Sequence, residues 1–318
     1  MRIFVLGWYG HNNLGDESYK ISFTKVWDQH EFIFSDNITE KQEFDLCIIG
    51  GGDVIRQENL NRISKLKCPK IALSVTITKL SLLPDLSILD YIYVRDIVSY
   101  NNLIDFGYNK TTYIPDISII LKGDVISGKK IIKEYFKQSG SQLYNNICVI
   151  NINAHLLGGP SQNSKDKNIF NKMCYDLVEV MDKTPSSFLF LPFSTSLPWD
   201  DRVSNGLVNS YTKFFNKNCV IYEKVSTQDS IDVISASDSI ITSRFHGLIF
   251  GIGNQISTIP ISFHDKMSGF CKTIDHNYID YWSFSSNEIQ KQLKETIKRP
   301  FDGQKIISEY REKVHFLW

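Results

Sequence analysis

The chain has 318 residues, in which 35 lysines and arginines balance 35 aspartates and glutamates, and 42% of the residues are hydrophobic. This composition excludes an intrinsically disordered chain, and the balanced charge provides no overall field that would attract nucleic acid or an anionic membrane surface. The length predicts two domains of about 150 residues each, and any anion site must be a local one.

The first half of the chain alternates strand-length apolar runs with helical segments. The runs are RIFVLG, FDLCIIGGG, PKIALSVTIT, DYIYVRD and TTYIPDISII, and helices are predicted over residues 16–30 and through Phe106. This alternation is typical of βα units around a parallel sheet that is buried on both faces. Because ligands of open α/β sheets bind at the carboxyl ends of the strands, the polar residues that follow these runs are the candidates for a site.

The alternation weakens around residues 121–146, which read as one amphipathic helix, and it restarts with NICVINI, SSFLFLPF, NCVIYE, DSIIT and STIPISF. We therefore predict an N-terminal α/β domain over residues 1–122, a linker helix over 123–146 and a second α/β domain over 147–284. The helices of residues 285–318 could pack back on the first domain. Two similar halves imply a central cleft between them.

The cysteines and the hydrophobic runs bear on localisation. The six cysteines show no paired spacing and are predicted to be free thiols in a reducing cytoplasm. No segment approaches the roughly 18 apolar residues of a membrane span. We expect a cytoplasmic protein with at most peripheral membrane association, and the oligomeric state stays open.

The segment GWYGHNNLGDESYK, residues 7–20, connects the first predicted strand to the first helix. Its glycine spacing matches neither the dinucleotide-binding fingerprint nor a P-loop. Its backbone amides could face an anion near the helix N-terminus, with Asn13 and Asp16 lining a pocket. The alternative is a tight turn in which Asp16 is the N-cap and Asn13 adopts a left-handed conformation.

Charged residues follow three further runs of the first half. Asp53, after the glycines of IIGGGDVI, could bind sugar hydroxyls or act as a base, or it could cap a helix. In VRD, Asp96 is expected to cap the next helix, whereas Arg95 could face the cleft. Asp116 in YIPDISI again follows a strand, and a functional and a structural role are equally open.

The second half holds the most specific pattern, ITSRFHGLIFG. Ser243, Arg244 and His246 follow a strand at the start of a helix that is predicted to begin near Gly247. Arginine is the forked donor suited to phosphate or carboxylate, and histidine titrates near neutrality. The alternative is a surface ion pair for Arg244 and a capped imidazole for His246. The helix dipole disfavours cations here unless an anion meets them, so the pattern favours an anion site.

Two neighbouring motifs point to the same sheet edge. ISFHDKMSGF places His264 and Lys266 after the next strand, where Lys266 could bind phosphate, although a solvated turn also explains them. NINAHLLGGP places Asn153 and His155 at the end of the first strand of the second half. No histidine and carboxylate cluster has metal-ligand spacing, so no metal is expected.

In order, GWYGHNNLGDE, IIGGGD, VRD, IPD, FLPFS, SRFHGLIFG and IPISFHDKMSGF resemble the polysaccharide pyruvyl transferase family over residues 7 to about 270. The resemblance implies two Rossmann-like domains in a glycosyltransferase-B-like arrangement, with the second domain binding the donor. It further implies phosphoenolpyruvate as donor substrate, no other cofactor, and a terminal hexose of a polysaccharide, glycan or lipid-linked repeat as acceptor.

The family's donor-binding and catalytic positions correspond to Arg244 and His246, and the carboxylate after the glycines corresponds to Asp53. In the implied mechanism Arg244, with Lys266 and the helix amides after Ser243, holds the donor. Charged His246 protonates the enol methylene, and Asp53 is the base for a sugar hydroxyl; a second hydroxyl then displaces phosphate and closes a ketal.

The chain departs from the family pattern at Asn153, where several relatives carry an arginine; Asn153 is still expected among the donor-binding residues with Ser243, Gly247 and Lys266, but the assignment of the donor carboxylate is less specific. The chain also departs at LSVTITK, which lacks a glycine-rich turn. Two alternatives therefore remain open. One is a nucleotide-sugar glycosyltransferase of the same architecture, and the other is an inactive glycan-binding homologue.

Overall fold

The computed structural model describes residues 1–38, 43–77, 85–157, 164–213, 219–223, 226–294 and 303–314. Within them the chain forms two six-stranded sheets, each with helices between its strands. Every pair of neighbouring strands in both sheets is parallel. The predicted pair of α/β domains is therefore confirmed.

The first sheet has the strand order β2-β1-β3-β4-β5-β6. Its strands are β1 (Arg2–Leu6), β2 (Glu31–Ser35), β3 (Leu46–Gly52), β4 (Lys70–Val75), β5 (Tyr91–Val94) and β6 (Thr111–Tyr113). The central strand β3 is buried along its whole length, as expected for a strand covered on both faces.

The second sheet has the order β12-β11-β10-β7-β8-β9. Its strands are β7 (Ile147–Asn151), β8 (Ser187–Phe190), β9 (Cys219–Ile221), β10 (Ser239–Thr242), β11 (Ser257–Ser262) and β12 (Ile279–Asp280). Strands β7, β10 and β11 lie side by side, so the segments that follow them share one carboxyl edge.

Eleven helices lie within the described residues. They are α1 (Leu14–Val26), α2 (Gln57–Ile63), α3 (Ile97–Asp105), α4 (Val125–Ser139), α5 (Ser164–Lys183), α6 (Asp201–Lys213), α7 (Thr227–Ser235), α8 (Phe245–Gly253), α9 (Asp265–Thr273), α10 (Ser286–Lys294) and α11 (Gly303–Lys313). None of these helices is long and apolar enough to cross a membrane.

The two halves share part of their apolar core. A single cluster of buried side chains includes Phe23 of α1 together with Phe193 and Phe250 of the second half. Helix α11 also contacts the first half, because the Tyr310 hydroxyl donates to the Pro115 carbonyl at 2.6 Å. Residues 295–302 and 315–318 of the predicted C-terminal helices lie outside the described residues.

The structure corrects three sequence predictions near the site. Helix α1 begins at Leu14, and its N-cap is Asn13 rather than Asp16, because the Asn13 side chain accepts a hydrogen bond from the Gly15 amide. The left-handed residue of this turn is Asn12, with φ of 50°. Helix α8 begins at Phe245, two residues before the predicted start at Gly247.

Two further differences concern strands. The run TTYIPDISII is a strand only over Thr111–Tyr113, because Pro115 has no amide to donate to a ladder and Asp116 caps a short 3-10 turn. Strand β2 was not predicted, because EFIFS is too short and too exposed to stand out as an apolar run. As predicted, Asp96 caps α3 by accepting from the Ser99 amide.

Candidate active site

The two halves meet where α1 of the first half contacts α8 of the second. A Cβ atom on Gly15 would lie 1.9 Å from Nδ1 of His246, so only glycine allows this approach. The imidazole also lies edge-on to Tyr19, with the ring centroids 5.4 Å apart. Gly247 allows a second close approach, because a Cβ there would lie 2.1 Å from Oγ1 of Thr242 at the end of β10. His246 is therefore fixed at the boundary of the two halves.

A buried hydrogen-bond network supports His246 from the first half. Arg95 and Asp116 form an ion pair at 2.8 Å, and their side chains are 2% and 0% exposed. The Tyr19 hydroxyl donates to Asp116 at 2.7 Å and accepts from Arg95. The guanidinium of Arg95 also lies 4.4 Å from the centroid of the Phe245 ring in the second half. Arg95 and Asp116 were both predicted at the carboxyl edge of the first sheet. They are buried below the surface of the boundary between the halves and do not line an open cleft.

The network fixes the tautomer of a neutral His246. Its Nε2 lies 3.1 Å from the Tyr19 oxygen. Since the Tyr19 proton is directed to the Asp116 carboxylate, Nε2 must carry the proton of this contact and donate it. The lone pair is then on Nδ1, next to Gly15.

Burial lowers the pKa of His246 to about 3, and the cations Arg95, Lys266 and Arg244 lower it too, whereas Asp116 opposes the shift. Without a ligand, His246 is therefore neutral at pH 7. The charged imidazole of the implied mechanism stays a prediction for the donor-bound enzyme. An anion bound among the same cations would raise this pKa again.

Arg244 is held by Asp201, the first residue of α6. Its Nε donates to Asp201 at 3.0 Å and its Nη2 donates to the Trp199 carbonyl at 3.2 Å. Asp201 is completely buried, while Arg244 keeps 13% of its side chain exposed. No described residue accepts a hydrogen bond from Nη1, which leaves this donor for a ligand.

Helices α8 and α9 begin side by side, because they follow the neighbouring strands β10 and β11. Their N-cap residues, Arg244 and His264, make no side-chain capping hydrogen bond. The first amides of a helix have no partner within the helix, so both N-termini present donors to an anion.

The N-terminus of α1 is different. Besides the cap by Asn13, the Leu14 amide donates to the Phe193 carbonyl at 2.8 Å. In the preceding loop the Gly10 amide donates to the Glu17 carboxylate at 2.5 Å. The Gly10, Leu14 and Gly15 amides are satisfied by the protein, so an anion contact of this loop stays a prediction for its other amides only.

Two charged side chains at the boundary have no partner among the described residues. The Lys266 ammonium, in the first turn of α9, forms no hydrogen bond or ion pair there, and burial lowers its pKa to about 8. The Asp16 carboxylate is equally unpaired in the described part of the chain, and burial raises its pKa to about 7. Arg95, Lys266 and Arg244 oppose the shift of Asp16, so these cations lie within electrostatic reach of it.

The remaining predicted residues divide into two groups. Asp53 and His264 are exposed, and the charge of Asp53 acts on both His264 and Lys266, so it lies at the same opening. His155 is also exposed there and stacks on Trp199 with 3.8 Å between centroids.

Ser243 and Asn153 belong to the second group, whose polar atoms are used by the protein. The Asn153 amide donates to the Ser243 hydroxyl at 2.7 Å, and the Asn153 side-chain oxygen accepts from the His155 amide at 2.9 Å. These contacts hold the loops after β7 and β10 together. Only the Nδ2 group of Asn153 is left for a ligand.

The sequence interpretation missed Tyr19 and Asp201. Tyr19 lies four residues after Gly15 and therefore on the same face of α1, a spacing that was available in GDESYK. Asp201 follows FLPFS in the run PWDDRV, where one of two adjacent aspartates could have been expected to pair with Arg244. The described residues hold no cluster of histidine, cysteine or carboxylate groups that could bind a metal.

The boundary thus combines helix amides, a lysine, an arginine with one free donor and an unpaired carboxylate. Such an arrangement can bind a small polyvalent anion and move protons next to it.

Solved structures similar to this one include UDP-GlcNAc 2-epimerase from Methanocaldococcus jannaschii, with a TM-score of 0.60 and 10% identity over 99% of this chain and 100% of that chain. S. aureus MnaA, solved with UDP, has a TM-score of 0.63 and 9% identity over 100% of this chain and 97% of that chain. At this identity the likeness shows the fold alone, and it confirms two Rossmann-like domains in a glycosyltransferase-B-like arrangement.

None of the curated proteins matches the sequence. The family model of polysaccharide pyruvyl transferase matches residues 9–265, from within the loop before α1 to the first residue of α9. This confirms the resemblance and does not favour a nucleotide-sugar glycosyltransferase. The chain belongs to the polysaccharide pyruvyl transferase family, and it is a transferase.

Proposed function

We propose that this enzyme transfers the enolpyruvyl group of phosphoenolpyruvate to two hydroxyls of a terminal hexose of a polysaccharide, glycan or lipid-linked repeat. The product is a cyclic pyruvate ketal, and phosphate is released. The observation that carries the proposal is the pair of uncapped helix N-termini, α8 and α9, beside the unpaired Lys266. Phosphoenolpyruvate is an anion of the size and charge that such a site binds.

The donor phosphate would lie between these N-termini, where Lys266 acts as a point charge and Arg244 contributes its free Nη1 donor. Asp201 positions Arg244 by occupying its other donors. Asn153 stands where several members of the family are expected to carry an arginine, so we assign the donor carboxylate to the Asn153 Nδ2 group and the first amides of α8.

The acceptor would enter from the exposed side of the boundary, where Asp53 and His264 lie. Two sugar hydroxyls attack the same carbon in turn, and each loses its proton. We assign Asp53 and His246 as the two bases. His246 suits this role once the donor is bound, because the negative charge of the donor offsets the cations that hold its pKa low.

The test is to incubate the enzyme with phosphoenolpyruvate and a panel of hexose glycosides, following phosphate release and the mass of each sugar. We expect a sugar that gains one pyruvate ketal, with activity lost in Arg244→Ala and lowered about 10²- to 10⁴-fold in His246→Ala. Arg62→Ala, which removes a surface arginine paired with Glu58 on α2, should be fully active.

Thermal shift separates the alternatives. A ligand at about 100 times its dissociation constant stabilises a protein by about 2.7 kcal/mol. A melting temperature raised by UDP and not by phosphoenolpyruvate, without ketal formation, would contradict the proposal and support a nucleotide-sugar enzyme. Binding of a glycan with no product from any donor would indicate an inactive homologue.

A further inference from the structure

The transfer reaction needs an acid, because the methylene carbon of the donor becomes a methyl group. The sequence pattern assigned this proton to His246. In the structure His246 is neutral, its Nε2 is engaged by Tyr19 and its Nδ1 lies against Gly15. A neutral imidazole with its lone pair on Nδ1 is suited to accept a proton rather than to give one, so the acid is assigned to another group.

We propose that Asp16 is the catalytic acid that protonates the methylene carbon of the donor. This assignment rests on the function proposed above. It gives Asp16 a catalytic role, whereas the sequence predicted only that Asp16 lines a pocket.

The position of Asp16 is the first argument. It lies in the first turn of α1, directly after the glycine that contacts His246. Its Oδ1 atom would be 3.2 Å from a Cβ on Gly52, the last residue of β3. The carboxyl group of Asp16 therefore lies next to the carboxyl end of β3. Lys266 and Arg244, which belong to the second half, act on it electrostatically. Asp16 therefore lies within electrostatic reach of the cations of the proposed phosphate site, on the opposite half of the protein.

The second argument is that the carboxyl group of Asp16 is available. It is partly exposed to solvent, and within the described residues it has no hydrogen-bond partner. The other nearby carboxylates do not combine these properties. Asp116 and Asp201 are completely buried in ion pairs with arginines, and Asp53 is exposed.

Electrostatics support the assignment. Burial, with a smaller contribution from Glu17, raises the pKa of Asp16 to about 7, and Arg95, Lys266 and Arg244 oppose the increase. Tyr9 and Tyr19 also face Asp16 but stay neutral, because burial raises the pKa of each hydroxyl. When the anionic donor neutralises the three cations, the pKa of Asp16 rises further and the carboxyl group is protonated at neutral pH.

The protons and electrons balance as follows. The O–H bond of Asp16 breaks, and the C=C electron pair of the donor forms the new C–H bond. The central carbon becomes electrophilic and forms a bond to the first sugar oxygen. The C–O bond to phosphate then breaks with its electron pair on phosphate, and the second hydroxyl closes the ketal. The two hydroxyl protons pass first to Asp53 and His246; one of them then leaves with phosphate and the other returns to Asp16.

The test compares Asp16→Asn with Asp28→Asn, an exposed aspartate in the turn after α1. Asparagine resembles a protonated aspartate in shape but cannot donate this proton. We expect kcat to fall about 10²- to 10⁴-fold with little change in KM for phosphoenolpyruvate. Wild-type kcat should decrease at high pH, because Asp16 then loses its proton. The residual activity of Asp16→Asn should not show this decrease. Asp28→Asn should match the wild type.

A second measurement is independent of turnover. In protein labelled with ¹³C at the aspartate carboxyls, the signal that is missing from Asp16→Asn should titrate with a pKa near 7, and saturating phosphoenolpyruvate should raise that pKa. If wild type forms the ketal and Asp16→Asn is equally active, or if the Asp16 carboxyl stays ionised at neutral pH with donor bound, Asp16 is not the acid while the proposed function stands. If wild type forms no ketal from phosphoenolpyruvate, the proposed function fails and this assignment fails with it.

Discussion

The imidazole of His246 occupies the space where a side chain on Gly15 would begin, and a Cβ there would lie 1.9 Å from Nδ1. The two residues belong to different halves of the protein. The absence of a side chain on Gly15 lets α1 and α8 approach closely at this point. The position of Asp16 relative to the proposed donor site therefore depends on this approach.

Gly15→Ala should inactivate the enzyme while leaving it folded. The added methyl must displace the imidazole or the first turn of α1, and a displacement of about 1 Å at a reacting centre can cost about 100-fold in rate. We expect kcat to fall by at least that factor, measured as phosphate release.

The matched control is Gly206→Ala in α6, where an added Cβ meets no atom within 4 Å. Alanine in a helix interior is favoured over glycine by about 0.5–1 kcal/mol, so this variant should be active and slightly more stable. Equal activity of the two alanine variants would show that the Gly15 contact does not position the site.

Asp201→Asn should weaken donor binding and stability together. The Asp201 carboxylate accepts hydrogen bonds from Arg244 and from the amides of Phe193, Ser194 and Ala154. Removing one charge of a buried pair typically costs about 3–5 kcal/mol. We expect a lower midpoint of chemical unfolding and a higher KM for phosphoenolpyruvate, because Arg244 is no longer held.

The neighbouring Asp200 provides a control of the same residue type. It pairs with Arg202, whose side chain is 49% exposed. Asp200→Asn should leave the KM for phosphoenolpyruvate unchanged. A KM raised equally by both substitutions would mean that Asp201 acts on α6 in general and not on Arg244.

The sequence predicted the architecture because repeated βα units leave a strong pattern of buried strands. It also predicted that Arg244, His246 and Lys266 lie near one edge, since β10 and β11 end there. It could not predict their protonation. The pKa of His246 depends on burial by α1, and α1 is more than 200 residues away along the chain.

The same limit applies to the loop before α1. The sequence allowed the amides of residues 7–20 either to face an anion or to form a tight turn, and in the structure Leu14 donates its amide to Phe193 of the other half. Glycine was required there for a different reason, the approach of His246 to Gly15. A single sequence shows that a glycine is present and does not show which atom needs the space.

Lys266→Gln should weaken binding of inorganic phosphate and of phosphoenolpyruvate. A hydrogen bond to a charged group contributes about 1.5–3 kcal/mol, so the dissociation constants should rise roughly 10- to 100-fold. Calorimetric titration measures this change directly. Lys272→Gln, on the last turn of the same helix and exposed, should bind both anions as the wild type does. Unchanged affinity in Lys266→Gln would remove Lys266 from the donor site.

The pH dependence of stability should report the buried, neutral His246. Its pKa is about 3 in the folded protein, against the ordinary value of 6.5 for a solvated imidazole, so the unfolded chain binds the proton more readily. The contribution of this group to the free energy of unfolding is present above pH 6.5 and is lost as the pH falls towards 3. Wild type should therefore lose more stability than His246→Gln as the pH falls through this range, measured by chemical unfolding at each pH.

The control is His11→Gln, which removes a histidine whose imidazole lies 2.8 Å from Asp36 on the surface. This variant should lose as much stability as the wild type when the pH falls, and more than His246→Gln. Saturating phosphoenolpyruvate should reduce this loss of stability in the wild type, because the donor anion raises the pKa of His246 and lets the folded protein take up the proton. If His246→Gln and wild type lost stability in parallel, the imidazole would already be charged in the folded protein. In that case His246 and not Asp16 would be the better candidate for the acid.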